Sequence, residues 1–300
     1  MKKRILSVAI TALLLGVAAG SAQAEDDVNA WRLFVADHDK PVINVIDALD
    51  GDKLATFNVK GPASLSRTES GAVLFAIQGS ANVVSTISSG IAFHDHGDHA
   101  DIDIDDAKLL NVELDGKKPG HFVERQGKVA QWFDGENSAQ LLTEHAVLAG
   151  KNDAAKVSVV AAHHGVAVPY DGYAVVSIPN PDDASKRPIG ARVVDLKGNK
   201  VGEDAACPGL HGSAGSGNIY ALSCATGLLL ITQNDDAPVI KHLPYAKSLP
   251  EGNTSTLIGG KGMQYFIGNY GPDRLVLIDP TEADSFRLIQ LPTRRVHFAV

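Results

Sequence analysis

Between His94 and Asp103 the chain sets three imidazoles and four carboxylates into ten consecutive positions, HDHGDHADID. Neutral imidazole nitrogen and carboxylate oxygen are ligands that borderline divalent cations accept, and the glycine at 97 lets the backbone fold round an ion. His94 and His96 stand two apart, so an extended backbone points both to one side. His99 and Asp101 are expected to swing in from the following turn. Three of the eleven histidines fall within six residues here, which separates this stretch from a solvated acidic loop whose histidines merely titrate. Copper(II) and nickel(II) bind such ligands at least as well as zinc, so zinc is preferred on availability and coordination flexibility, not on affinity.

The same residues spell H-x-H-x-D-H, the motif with which metallo-β-lactamases hold two zincs and generate a hydroxide. In those enzymes the motif opens a helix and is completed by a further His, Asp and His within an αββα sandwich. Here Ile102, Asp103, Ile104 and Asp105 alternate like a strand, and the helices of that sandwich are missing. A metal-dependent hydrolase is therefore the alternative to a metal carrier. The chain has no Ser/His/Asp arrangement and no G-x-S-x-G elbow, and the glycine-rich stretch 209–217 lacks the Lys-Ser/Thr ending of a phosphate loop.

A second set of histidines is spread along the chain. His121, His164 and His211, followed by Thr254 and His297, recur at intervals of 43, 47, 43 and 43 residues. Each precedes a turn and a pair of apolar runs. Such runs punctuate the whole chain after residue 30: RLFVA at 32–36, VINVI at 42–46, LATF at 54–57, VLFAI at 73–77, VAQWF at 129–133, AVVSI at 174–178, GNIYA at 217–221 and MQYFI at 263–267. Short β-type runs at this spacing, in repeats of about 40 to 50 residues, predict an all-β fold, a β-propeller of six to seven four-stranded blades. The innermost strands of a propeller converge on its axis, so His121, His164 and His211 at matching blade positions would meet in the central channel. Taken singly, each is better read as a satisfied structural histidine. The run 295–300 either joins the three strands of residues 31–59 to close the ring or ends the chain in mid-blade, as a truncated form of a larger propeller. His38, His145 and His242 stand in ordinary strand or turn contexts.

The ends and the charge bound the setting. Lys2, Lys3 and Arg4, the apolar stretch 5–19 and Ala22-Gln23-Ala24 form a secretory signal peptide over 1–24, leaving residues 25–300 as one propeller domain. The apolar core is shorter than the ~20 residues of a spanning helix, so no membrane insertion is expected. Removing the leader moves the formal charge from −8 to −11, which disfavours nucleic acid as a partner. Cys207 and Cys224 are the only cysteines, and in an oxidising compartment a lone pair reads as a disulfide. The competing reading makes them thiolate metal ligands, against which their spacing of seventeen argues, being unlike the close C-x-x-C pairs of structural zinc sites.

Together, FHDHGDHADIDI at 93–104, PGHFVERQGKVAQWFDG at 119–135, HHGVAVPYDGYAVVS at 163–177, CPGLHGSA at 207–214 and SCATGLLL at 223–230 resemble the periplasmic zinc metallochaperones of the AztD family. The resemblance covers most of the chain after the leader. It implies a monomeric β-propeller that accompanies a zinc ABC importer, binds Zn2+ through His and Asp, and passes it to the importer's solute-binding protein without catalysing a reaction. It carries metal binding onto His94, His96, His99 and Asp101 in one stretch and onto His121, His164 and His211 at the blade starts. Two departures stand out: Glu124 and Arg125 follow His121-Phe122-Val123, and members of that family are usually longer than 300 residues.

Overall fold

The computed structural model describes residues 30–97, 100–233 and 235–294. They form six antiparallel sheets, each a meander, and one hairpin. The first sheet holds β1 (Arg32–Ala36), β2 (Val42–Asp47) and β3 (Lys53–Asn58). The second holds β4 (Ser64–Arg67), β5 (Val73–Gln78), β6 (Val83–Ser88) and β9 (Lys108–Asp115), with the hairpin of β7 (Ile91–Asp95) and β8 (Ala100–Ile104) inserted before its last strand. The third runs through β10 (Pro119–Arg125), β11 (Lys128–Phe133), β12 (Ser138–Thr143) and β13 (Ala155–Ser158), with α1 (Glu144–Leu148) before its last strand. The fourth comprises β14 (Ala167–Tyr170), β15 (Tyr173–Ile178), β16 (Gly190–Asp195) and β17 (Lys200–Ala206). The fifth comprises β18 (Ser213–Ser216), β19 (Ile219–Cys224), β20 (Gly227–Thr232) and β21 (Val239–Pro244), and the sixth β22 (Leu257–Ile258), β23 (Phe266–Asn269), β24 (Arg274–Ile278) and β25 (Phe286–Gln290).

Consecutive sheets pack face to face. Phe34 and Ile43 of the first meet Leu74 and Ile87 of the second, while Phe75 and Leu114 of the second meet Val129 and Phe133 of the third. Trp132 and Leu141 of the third meet Ala174 and Val176 of the fourth; Val175 and Val193 meet Leu222 and Leu229 of the fifth; Leu228 meets Phe266 and Ile278 of the sixth. A middle strand covered on both faces has no polar side, and β5 is buried at all six positions. That is why VLFAI and VAQWF read as unbroken apolar runs. Among the described residues the first sheet packs against the second alone, and β1 alternates half-buried with exposed residues.

The all-β class and the four-stranded meanders agree with the sequence expectations, and α1, five residues capped by the Thr143 hydroxyl, is the one α-helix among the described residues. Two runs sit differently from expectation. Gly217 and Asn218 make the turn before β19, where Gly217 takes a φ of +54°, and β23 begins at Phe266 instead of 263. The leader 1–24 and the run 295–300, with His297, lie outside the described residues. No helix among those described is long and apolar enough to cross a membrane.

Candidate metal centre

His121 owes its direction to an irregularity in β10. Pro119 pairs with Phe133 and Phe122 with Gln131, so Gly120 and His121 together face Trp132 alone. This is a β-bulge, which re-aims the side chains of the bulged strand and frees backbone carbonyls. The buried amide of Gln131 donates to the carbonyls of Gly120, His121 and Trp132 at 3.3, 3.4 and 2.9 Å. Directly after β11, Asp134 turns its carboxylate back against Gly120, where a Cβ would come within 2.8 Å of Oδ1. Only glycine at 120 leaves that carboxylate its place.

His164 lies in the linker to β14, which its neighbour anchors. His163 is buried, donates from Nδ1 to the Ala161 carbonyl at 2.8 Å and accepts at Nε2 from the Ser177 hydroxyl at 2.8 Å. Trp132 Nε1 donates to the His163 carbonyl at 3.0 Å. With both ring nitrogens occupied, His163 is structural. His164 turns the other way, and its Nδ1 donates to Asp134 Oδ2 at 2.6 Å. His211, just ahead of β18, donates from Nδ1 to the Ser255 carbonyl at 3.1 Å.

Three imidazoles, one from β10 and two from the segments leading into β14 and β18, thereby come together. The ring centroids of His121 and His164 are 4.6 Å apart, with His211 at 6.2 and 6.0 Å from them. One donor atom each from His121, Asp134 and His164 lies within 4.8 Å of the others. His164 and His211 use Nδ1 as donors, which leaves Nε2 of each as the candidate ligand atom. Such second hydrogen bonds fix tautomer and ring orientation in metal-binding histidines. His121 Nδ1 and Asp134 Oδ1 are buried without a hydrogen-bond partner among the described residues. Burial, followed by the neighbouring His164 and His211, holds the His121 imidazole below its ordinary titration range. It is thus neutral, the form that binds metal. The cavity against these rings, walled by Val166, Pro188 and Leu210, has a volume of about 10 Å3, the space of a single water or ion.

The acidic histidine-rich stretch is a two-stranded hairpin, where the sequence predicts a loop with a turn bringing Asp101 inward. His94 pairs with Asp101 across it, so register puts His94, Asp101 and Asp103 on one face. His94 Nε2 lies 2.9 Å from Asp103 Oδ2, and His96 Nε2 lies 3.2 Å from Asp101 Oδ2. All four side chains are more than half exposed. Each imidazole is matched to a carboxylate, and among the described residues the hairpin gathers no group of three donors. His99, the remaining sequence candidate here, lies outside the described residues. Ala100–Ile104 is a strand, so H-x-H-x-D-H does not open a helix as it does in the hydrolases. The sequence reading missed Asp134, taking Phe133-Asp134-Gly135 as a turn; its one signal was an acidic residue directly after the strand that faces His121. Cys207 and Cys224 form a disulfide linking the end of β17 to the end of β19. Glu124 and Arg125 fall at the far end of β10, where Glu124 accepts from Gly127 N and the Arg125 guanidinium lies over the Tyr170 ring, away from the imidazoles.

No protein-family model matches the chain. It is 80% identical, over all 300 of its residues and 71% of the relative's length, to the zinc chaperone AztD of Citrobacter koseri. A crystal structure of Citrobacter koseri AztD superposes with a TM-score of 0.88 at 82% identity, covering 91% of this chain and 73% of that one. The apo form of the same protein gives 0.87 at 82% identity over 90% and 73%.

Proposed function

The chain belongs to the AztD family of zinc chaperones, and from that premise we propose that it takes up Zn2+ outside the cytoplasm at His121, His164 and His211 and yields it to the solute-binding protein of a zinc ABC importer. A zinc chaperone binds and releases its cargo, and no chemical bond of a substrate is made or broken. The observation that carries the choice of site is the convergence of the three rings, beside two buried polar atoms without partners. In this reading the six meanders are blades of one propeller, and the imidazoles lie where the first strands of three successive blades begin.

Three neutral nitrogens leave the fourth corner of a tetrahedral zinc open to solvent or to an incoming ligand. Release can then proceed by substitution: a ligand from the acceptor enters before the last old bond is lost. His164 is exposed, so the acceptor can reach that corner. Asp134 orients His164, and one of its carboxylate oxygens lies within 4.8 Å of a His121 ring nitrogen. The stretch with His94, His96, His99 and Asp101 is a second and looser position, suited to collecting ions at the surface because His94, His96 and Asp101 are more than half exposed.

Competition against a chromophoric zinc chelator tests the assignment. Alanine at His121, His164 or His211 is expected to weaken binding about 100-fold or more, since outer-shell partners alone cost 10–100-fold. A His94→Ala, His96→Ala, His99→Ala variant should keep the tight site and lose only weak uptake. A triple variant of the converging histidines that binds zinc as tightly as the parent would overturn the proposal.

A further inference from the structure

We infer that Cys207, Cys224 and His242 form a second metal site gated by redox state, closed while the two sulfurs are bonded to each other and open to a thiophilic divalent cation once they are reduced. One donor atom each from these three residues lies within 4.8 Å of the others. His242 reaches the spot because β20 and β21 pair Leu229 with His242, one turn away from Cys224 at the end of β19. Thr226, in the intervening turn, links the two: its Oγ1 is 3.4 Å from Cys224 Sγ and 3.1 Å from His242 Nε2.

The backbone holds the sulfurs together independently of their bond. Cys207 N donates to the Ile189 carbonyl at 2.8 Å, Ala225 N to the Pro208 carbonyl at 2.9 Å, and Tyr245 Oη to the Cys224 carbonyl at 3.2 Å. Both cysteines are buried, whereas His242 is exposed. A cation would enter from the imidazole side and find two thiolates behind it, with the Thr226 hydroxyl or a water as the fourth ligand. Two sulfurs and one nitrogen make a softer set than the three imidazoles, favouring zinc, cadmium or copper(I) over oxygen-loving ions.

The chemistry balances with a named reductant. A dithiol gives up two electrons and two protons to the S–S bond, becoming a disulfide and leaving Cys207 and Cys224 as thiols. With a trialkylphosphine, one water supplies the oxygen of the phosphine oxide and both protons of the thiols. Binding of a divalent cation then expels one proton from each thiol. Metal and disulfide exclude each other, so a newly exported chain that binds a cation here would be slow to oxidise.

The test uses the full chain, reduced with a trialkylphosphine and titrated with cobalt(II). A sulfur-to-cobalt charge-transfer band is expected in the reduced protein and not in the oxidised one, weakened about tenfold or more in apparent affinity by His242→Ala, at least the effect of an outer-shell partner. The imidazole centre gives no such band, so its loading does not interfere. Cadmium should also slow alkylation of the two thiols by iodoacetamide about tenfold in the parent and far less in His242→Ala, which needs no cysteine variant to fold. Absence of the band, a band indifferent to His242→Ala, alkylation unaffected by cadmium, or loss of the far-ultraviolet β signal on reduction would each overturn the inference.

Discussion

One oxygen of Asp134 holds His164 Nδ1 at 2.6 Å, and the other is buried without a partner among the described residues. A carboxylate in that position sets the tautomer and orientation of the imidazole and leaves Nε2 for the cargo. Asp134→Asn keeps the volume but removes the charge, and should weaken zinc binding 10–100-fold in a competition titration while leaving the metal-free fold intact. Protons act in the same place. Burial holds His121 and His163 below the ordinary value of 6.5, with His164 and His211 adding to the effect at His121. Below about that pH the unfolded chain binds more protons than the folded one at these two groups, so stability is intact above 6.5 and falls as pH drops through it towards their lowered values. Urea midpoints of the metal-free protein at neutral and mildly acid pH should record that fall, and His163→Gln should flatten it. At this scale the sequence exposed the histidines by their interval alone, since recurrence at matching positions of successive sheets survives in a linear string. Asp134 was hidden because its relation to His121 exists only across the register of two strands.

The bulge in β10 and the linker ahead of β14 convert ordinary strands into holders of side chains. Gly165 is the tightest point of that linker: a Cβ there would collide with Ser177 Oγ and His163 Nε2 and lie within 2.8 Å of Trp132 Cζ2. Gly165→Ala must therefore displace the hydrogen bonds that anchor the linker and, with them, His164. A loss of about 1–3 kcal/mol in unfolding free energy, typical of overpacking, should accompany weaker zinc binding; an unchanged affinity would mean that the linker adapts independently of its neighbour. The middle strands were legible as continuous apolar runs because both their faces are covered. The first strands β14, β18 and β22 were not, being four, four and two residues long and too short for any period to register. In the stretch 93–103 the extended segments were legible at His94–His96 and from Ile102, but not their pairing, because the polar residues carry no sign of the cross-strand register that makes them a hairpin.

Across the described residues each of the four inner sheets buries one face against the sheet before it and one against the sheet after. His121, His164 and His211 come from the third, fourth and fifth members of that row, so an ion bound by all three ties those sheets together. At a free zinc concentration a thousandfold above the dissociation constant, linkage adds about 4 kcal/mol to stability. The unfolding midpoint should rise accordingly with zinc in the parent, and by much less in His211→Ala. Packing of each sheet on the next also explains what the sequence could convey about overall form: a repeat length is visible in one dimension, whereas the faces that neighbouring repeats share are not.

Because no single sheet owns the three nitrogens of the proposed site, a chain with one of them out of place would hold its ion far more weakly. Occupancy thus certifies that the central part of the molecule has been assembled correctly, and an acceptor that recognises only filled carriers would discard defective copies without any separate inspection.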